Sequence, residues 1–122
     1  MTSRERVIAA INHREPDRVP VDIGATGQTG ISASVIYRLR KALKLDEKPV
    51  RITEIYQILG EVDEKLREYV GCDVIGLNGT HDMFGNLIAG CQPFRMTDGT
   101  PCTVHETFRY TIKDGSYYTY AL

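Results

Sequence analysis

Tryptophan is absent from this sequence, and phenylalanine and cysteine are scarce. The 122 residues include three phenylalanines and three cysteines, Cys72, Cys91 and Cys102. An odd number of cysteines with no close pair excludes a disulfide framework and is typical of reduced thiols in a cytoplasmic protein. With so few large aromatic side chains, we expect a hydrophobic core of modest size.

An excess of charge of one sign and long apolar runs are also missing. Fifteen Lys and Arg residues oppose sixteen Asp and Glu residues, which gives a formal net charge of −1. Balanced charge creates no field that attracts nucleic acid or an anionic membrane, so we expect neither as a partner. The apolar stretch at residues 7–11 is shorter than a signal-peptide core, and no run approaches the roughly 20 apolar residues of a membrane-spanning helix.

What remains is the composition of one small globular domain, with 42% hydrophobic and 25% charged residues. The chain begins with a helix signal, because Thr2 and Glu5 have the spacing of a capping box. This first helix is expected to end near Asn12, since Pro16 disfavours helical backbone just before it.

The following segments predict two strands joined by helices. Residues 18–23 alternate between apolar and polar side chains, and residues 72–77 are almost all apolar, as in a strand covered on both faces. Gly71 is placed to end the helix before the second strand. Because a crossover connection joins parallel strands, we expect these two strands to run side by side in the same direction. The helices between them are predicted at residues 32–44, 53–59 and 61–70.

The last third of the chain has the pattern of antiparallel hairpins. Asp98-Gly99 and Asp114-Gly115 are turn signals, because both residue types tolerate a positive φ. We therefore predict an antiparallel meander over residues 79–122, after a helical and parallel-strand part over residues 1–78. Its strands are expected at residues 92–96, 101–105, 108–113 and 116–121.

These segments resemble the N-terminus of the uroporphyrinogen decarboxylase-like family. Residues 1–21 contain the helix R-E-R-V-I-A-A-I-N followed by E-P-D-R-V-P-V. Residues 26–34, 71–74 and 94–101 continue the similarity, most closely to the methyltransferase-like branch. The resemblance implies an α/β fold, the N-terminal part of a (β/α)8 TIM-like barrel with the β-meander as an insertion. A complete barrel needs roughly 250 residues or more. We therefore expect the natural protein to extend past Leu122, and either its remaining part or self-association to cover the sheet edges.

The resemblance also implies an activity. The methyltransferase-like branch moves a methyl group between a donor, a cobamide and a thiol or similar acceptor, so we expect a corrinoid-dependent methyltransferase that acts on a small molecule or a corrinoid protein. Cobamide and zinc are expected in the complete protein, but neither is expected in this segment, and the isolated chain should show no turnover.

Two alternatives stay open. One is a uroporphyrinogen decarboxylase of tetrapyrrole biosynthesis, but residues 22–27 lack the arginines with which decarboxylases bind substrate carboxylates. Desolvated carboxylates need such cationic partners. The other alternative is a non-catalytic α+β module for binding or assembly.

Two polar loops supply the candidate substrate-binding residues, and no catalytic residue is assigned. In a barrel, the loops that follow the strands build the active site. His81 is a candidate general acid or base that a neighbouring carboxylate would tune. A tight structural turn in the first loop and ordinary solvated side chains in the second are the alternative interpretations. The candidates are Asp22, Gly24, Thr26, Gln28 and Thr29 in the first loop, and Asn78, His81 and Asp82 in the second.

No metal site is predicted. Cys102 and His105 lie three residues apart on one predicted strand, which would direct them to opposite faces. The sequence also has no C-x-x-C pair of the kind that binds structural zinc.

Overall fold

The structure is a computed structural model that describes residues 1–120, so Ala121, at the end of the last predicted strand, and Leu122 lie outside the described residues. The chain divides into two units, Met1–Gly30 with Val62–Leu77 and Ile31–Glu61 with the described part of Asn78–Leu122. The helices and strands are α1 (Ser3–Ile11), α2 (Ala33–Ala42), α3 (Glu64–Val70), β1 (Val50–Glu54), β2 (Leu59–Gly60), β3 (Gln92–Arg95), β4 (Pro101–Val104), β5 (Tyr110–Lys113) and β6 (Ser116–Thr119).

Both helices of the first unit begin and end where capping chemistry directs. The capping box of α1 is confirmed, because the Thr2 hydroxyl accepts from the Glu5 amide and the Glu5 carboxylate accepts from the Thr2 amide. Helix α3 begins at Glu64, later than predicted, because the Asp63 carboxylate accepts from the Leu66 amide and so defines the N-cap. Gly71 ends α3 in the left-handed conformation, as predicted.

A buried carboxylate organises the chain around these helices. The Asp73 side chain is fully buried. It accepts from the Arg6 guanidinium at 2.5 Å, from the Arg18 guanidinium at 2.7 and 3.0 Å, and from the Val21 amide at 2.9 Å. These donors, the Val21 amide foremost, hold the pKa of Asp73 well below its ordinary value. The Asp17 carboxylate is a second ion-pair partner of Arg6, with 2.7 Å between its Oδ1 and Arg6 Nε.

The predicted pair of parallel strands in this unit is wrong. Neither residues 18–23 nor residues 72–77 form a strand. Pro20 has no amide hydrogen, the Val21 amide is taken by the Asp73 carboxylate, and the Ile23 amide lies 3.4 Å from the Cys72 thiol. These side chains replace the carbonyl partners that a strand ladder requires. One backbone hydrogen bond joins the two segments, from the Asp73 amide to the Val21 carbonyl at 2.8 Å.

The barrel prediction is also wrong, because it depends on that pair of parallel strands. Residues 1–120 form three helices and two small sheets and contain no closed barrel. A parallel pair does occur, but it joins β1 to β4 in the second unit, with Val50 opposite Cys102. The N-terminal part of a TIM-like barrel is therefore not the architecture of this chain.

The second unit is built on a four-stranded mixed sheet in the order β2-β1-β4-β3. Helix α2 contacts β1 and β2 through side chains that include the fully buried Ile36. Gly60 permits this close packing, since a Cβ there would lie 3.0 Å from both Ala33 Cα and Ile36 Cδ1 of α2.

The predicted helix over residues 53–59 is replaced by β1, a turn and β2. Val50 and Ile52 are buried, and Arg51 between them is exposed, which is strand alternation. The Glu54 carboxylate then accepts from the Tyr56 and Gln57 amides, which closes the turn into β2.

Both predicted hairpins are confirmed, but they do not form one meander. Strands β3 and β4 pair antiparallel across the Asp98-Gly99 turn, and β5 and β6 across the Asp114-Gly115 turn. Strand β4 continues into the main sheet, whereas β5 and β6 form a separate two-stranded sheet. Ring contacts join the hairpins, with the Phe94 centroid 5.0 Å from that of Tyr110 and 5.8 Å from that of Phe108.

We expect Leu66→Ala to destabilise the first unit by about 2–5 kcal/mol, because it leaves a cavity at a side chain that is 1% exposed. Tyr69→Ala on the same helix is the control, since Tyr69 is exposed and its loss should change stability by about 0.5 kcal/mol or less. Native-state hydrogen exchange of amides in α1 and α3 measures both effects. Equal effects of the two substitutions would contradict the assigned core.

We also expect Asp73→Asn to destabilise the first unit, because it leaves two guanidinium groups around a buried site without their shared negative charge. Asp17→Asn should cost less, since the Asp17 side chain is 42% exposed and Arg6 keeps Asp73 as a carboxylate partner. The exposed Asp114→Asn serves as the matched control in the second unit. The same hydrogen-exchange measurement ranks the three variants, and a larger loss for Asp17→Asn would disprove the central role of Asp73.

Candidate functional site

The first predicted loop, residues 22–30, is a closed turn held together by its own polar groups. The Asp22 carboxylate accepts from the Ala25 amide and the Thr29 hydroxyl, each at 3.2 Å. The Gly24 amide donates to the Thr29 carbonyl at 2.8 Å, and the Thr26 amide donates to the Thr29 hydroxyl at 3.2 Å. Asp22 and Thr29 therefore brace the loop.

Gly24 fixes the loop to the body of the first unit. Its φ is +83°, and a Cβ at this position would lie 2.5 Å from Cγ2 of the buried Val62. Only glycine satisfies both the backbone conformation and the close approach. The backbone conformation and the packing of Gly24 therefore account for this glycine without a role in binding.

Two polar side chains of this loop point to solvent. Gln28 is exposed, and its carboxamide has no hydrogen-bond partner among the residues that the structure describes. Thr26 is also exposed, and its hydroxyl accepts from the Gln28 amide at 3.3 Å. Loop residues 22–30 include no lysine, arginine or histidine. The surface of this loop therefore offers neutral hydrogen-bonding groups beside one carboxylate.

The second predicted group lies in the other unit and does not act as one cluster. Asn78 and His81 are exposed. The His81 imidazole lies 3.0 Å from the Thr80 hydroxyl, and His81 forms an isolated bridge to Leu87. Asp82 differs from both, because its side chain is only 3% exposed.

Asp82 closes a turn through its carboxylate. One oxygen accepts from the Phe84 and Asn86 amides at 2.8 and 2.9 Å, and the other accepts from the Asn86 carboxamide at 3.1 Å. Burial raises the pKa of Asp82, but the Asn86 and Phe84 donors and the nearby His105 outweigh it, so the pKa is lowered overall. Asp82 therefore carries a negative charge inside the unit.

The partner that sequence reasoning missed is His105, which is 5% exposed. Its Nε2 lies 3.5 Å from the Asp82 carboxylate without hydrogen-bond geometry, and this atom has no hydrogen-bond partner among residues 1–120. Its Nδ1 lies 2.7 Å from the Thr107 hydroxyl, which donates to the Leu87 carbonyl at 3.0 Å. Because that hydroxyl has one hydrogen to give, Nδ1 must be the donor to Thr107.

The chemistry of this pair follows from the tautomer. Burial lowers the pKa of His105, and Asp82 opposes the shift only in part, so the imidazole is neutral at neutral pH. With Nδ1 protonated, the Nε2 lone pair faces the Asp82 carboxylate. His105 ties the 80–90 loop to the end of β4 through Thr107, whose hydroxyl donates to the Leu87 carbonyl. Because Nε2 is shielded from solvent, His105 does not reach a substrate in this conformation.

The expectation that Cys102 and His105 lie on one strand is wrong. Strand β4 ends at Val104, so strand alternation does not extend to His105, and both residues are buried. The sequence signal for the hydrogen bond between His105 and Thr107 is a polar residue at the end of an apolar alternation with a threonine two residues later. Within the described residues no group of three His, Cys, Asp or Glu side chains is arranged to hold a metal ion. Burial raises the pKa of the Cys102 thiol to about 11, which leaves it protonated.

Comparison with known proteins adds no assignment, since no family model, curated protein or solved structure matches this chain. None of the helices in residues 1–120 combines the length and apolar character that crossing a bilayer requires.

We expect the stability of the second unit to fall as the pH is lowered below the ordinary imidazole pKa of 6.5. Burial lowers the pKa of His105, so the unfolded chain binds more protons than the folded chain in this range. The stability that Asp82 contributes is lost only at lower pH, as the pH falls through its own lowered pKa. Urea unfolding between about pH 5 and pH 7 therefore isolates His105.

His105→Gln removes the titrating group and should flatten this pH dependence, whereas His81→Gln, at an exposed imidazole, should preserve it. An unchanged slope in His105→Gln would contradict the assignment.

Proposed function

We propose that this chain takes part in corrinoid-dependent methyl transfer and that loop residues 22–30 contact the corrinoid. The observation that carries this proposal is the chemistry of the loop surface, which presents the Gln28 carboxamide and the Thr26 hydroxyl and no cation. The sequence resemblance to the methyltransferase-like branch supports the same assignment.

The residues present fit a cobamide better than a tetrapyrrole with many carboxylates. The rim of a corrin ring carries carboxamide groups, which exchange hydrogen bonds with a glutamine side chain. A porphyrinogen with many carboxylates instead requires cationic partners, and the Asp22 carboxylate would repel it. A bound cobamide supplies a methyl group for transfer to an acceptor. In this proposal Gln28 and Thr26 hold the rim of the ring. Asp22 and Thr29 brace the loop that carries them.

Zinc does not enter the proposal for these residues. The described part of the chain contains no group of three ligating side chains, and the Cys102 thiol is both buried and protonated. Activation of a thiol acceptor by zinc is therefore not assigned to this chain.

The test is equilibrium dialysis of the purified chain against methylcobalamin, with absorbance as the readout. We expect saturable binding, and we expect Gln28→Ala to weaken it roughly threefold to tenfold, the equivalent of one hydrogen bond. Gln57→Ala is the matched control, because Gln57 is an exposed glutamine outside the loop.

Uroporphyrin, which carries the carboxylates of the alternative substrate, is the competing probe. It should neither bind nor displace methylcobalamin. Absence of saturable methylcobalamin binding, or displacement by uroporphyrin, would reject the methyl-transfer assignment.

A second candidate function, an assembly module, is favoured by exposed apolar side chains in the first unit. Val19 is 79% exposed, Ile75 is 69% exposed and Leu77 is fully exposed. Single exposed apolar residues are ordinary, but three on the segments that flank the buried Asp73 are suited to contact another polypeptide. Sedimentation velocity distinguishes the cases, since an assembly module should gain mass with concentration and Leu77→Ser should reduce that gain.

We also propose a cytoplasmic location. Cys72, Cys91 and Cys102 are free thiols, and Cys91 is exposed. Exposed thiols persist in a reducing compartment. Cell fractionation with an epitope-tagged chain tests this location.

A further inference from the structure

A basic cleft in the second unit shares no residue with loop residues 22–30. It has a volume of about 530 Å³ and lies between helix α2 and the β3–β4 hairpin. Its cationic side chains are Arg38, Lys41 and Arg95. Arg38 and Lys41 are one helical turn apart, so they face the same side of α2.

The cleft retains positive charge after its internal pairs are counted. Asp98 is its one lining carboxylate, and it lies 3.1 Å from the Arg38 guanidinium. Donation by the Thr100 amide and hydroxyl lowers the pKa of Asp98 to about 2, so this carboxylate stays ionised and orients Arg38. Lys41 forms a long ion pair with Glu47, with 3.9 Å between Nζ and Oε1. Two carboxylates therefore face the three cations, and one cation remains in excess.

Arg95 is held in place while most of its donors remain available. Its Nη1 donates to the Gly99 carbonyl at 2.7 Å, and its own carbonyl accepts from the Tyr117 hydroxyl at 3.0 Å. A guanidinium has five N–H donors, so this contact leaves others for a ligand. Arginine and lysine together are the side chains that recognise phosphate groups.

A second cleft of about 410 Å³ adjoins the basic one, since Arg95 and Pro101 line both. Its other walls are apolar or aromatic and include Pro93, Phe94 and Tyr110. Flat proline and tyrosine surfaces suit a planar ring. The two clefts therefore place a surface for a ring beside a cluster of cations.

We propose that this double cleft binds a phosphate ester that carries an aromatic base, of the nucleoside monophosphate class. The phosphate lies among Arg38, Lys41 and Arg95, and the ring lies against Pro93 and Tyr110. The proposal does not rest on the methyl-transfer function, because none of its residues belongs to loop residues 22–30 or to the first unit.

Titration of the full chain with AMP, followed by heteronuclear NMR, tests the proposal. We expect saturable shifts at Arg95, Gly99 and Thr100. Adenosine should bind at least tenfold more weakly because it lacks the phosphate, and inorganic phosphate should bind more weakly than AMP because it lacks the ring.

Lys41→Gln and Arg95→Gln should each weaken AMP binding roughly threefold to tenfold. The matched controls Lys113→Gln and Arg51→Gln remove exposed cations of the same unit outside both clefts and should leave it unchanged. Thermal unfolding of each variant confirms that the fold is kept.

Three outcomes would overturn the proposal. If adenosine bound as tightly as AMP, the three cations would have no part in binding. Equal losses in the control variants would show a diffuse charge effect in place of a site. Inorganic phosphate binding as tightly as AMP would reject the ring surface and with it the proposed ligand class.

Discussion

The first unit depends on a single buried carboxylate. Asp73 is removed from water, and a charge in that position is tolerated only when donors replace its hydration. Arg6 from helix α1, Arg18 from the following segment and the Val21 amide supply those donors. The requirement to satisfy one side chain therefore gathers three separate pieces of chain at one point. It also removes the Val21 amide from any strand ladder, which is why this region stays irregular.

The geometry of the candidate loop follows from that anchor. Residues 22–30 begin directly after Val21, which both accepts from and donates to Asp73. Gly24 then passes close to Val62, and Asp22 and Thr29 close the loop from within. What remains for a ligand is the pair of outward groups, Gln28 and Thr26. A rigid base with a small neutral polar surface favours recognition of an uncharged group by hydrogen bonds over recognition of an anion.

Local chemistry was readable from the sequence, and long-range chemistry was not. The Thr2 capping box, the Gly71 helix end and both Asp-Gly turns depend on residues within four positions of one another, and the structure has all of them. The pairing of β1 with β4 joins residues about fifty positions apart, and no local pattern indicates it. The Asp73 cluster likewise links residues 6, 18, 21 and 73.

The candidate site divides in the same way. The sequence predicts Asp22 and Thr29 as binding candidates in one loop, and in the structure they bond to each other and to the loop backbone. The sequence assigns Asp82 to an open pocket because its loop follows the second predicted strand, whereas the side chain is buried beside His105, twenty-three positions later. A polar residue between apolar neighbours gives no indication of which distant group it meets, so the pattern alone cannot separate a buried pair from a solvated loop.

The two proposed ligand surfaces should respond differently to salt. Hydrogen bonds between neutral groups at Gln28 and Thr26 involve no net charge, so salt has little effect on them. Attraction of a phosphate to Arg38, Lys41 and Arg95 acts between full charges at an open surface, where added ions screen it within about 10 Å at 0.1 M salt. Asp98 neutralises part of the positive charge of the cleft, and it also fixes the orientation of the Arg38 guanidinium. In the proposed site this pairing weakens the attraction of the phosphate but fixes the direction of the Arg38 donors, so selectivity depends on geometry as well as on charge.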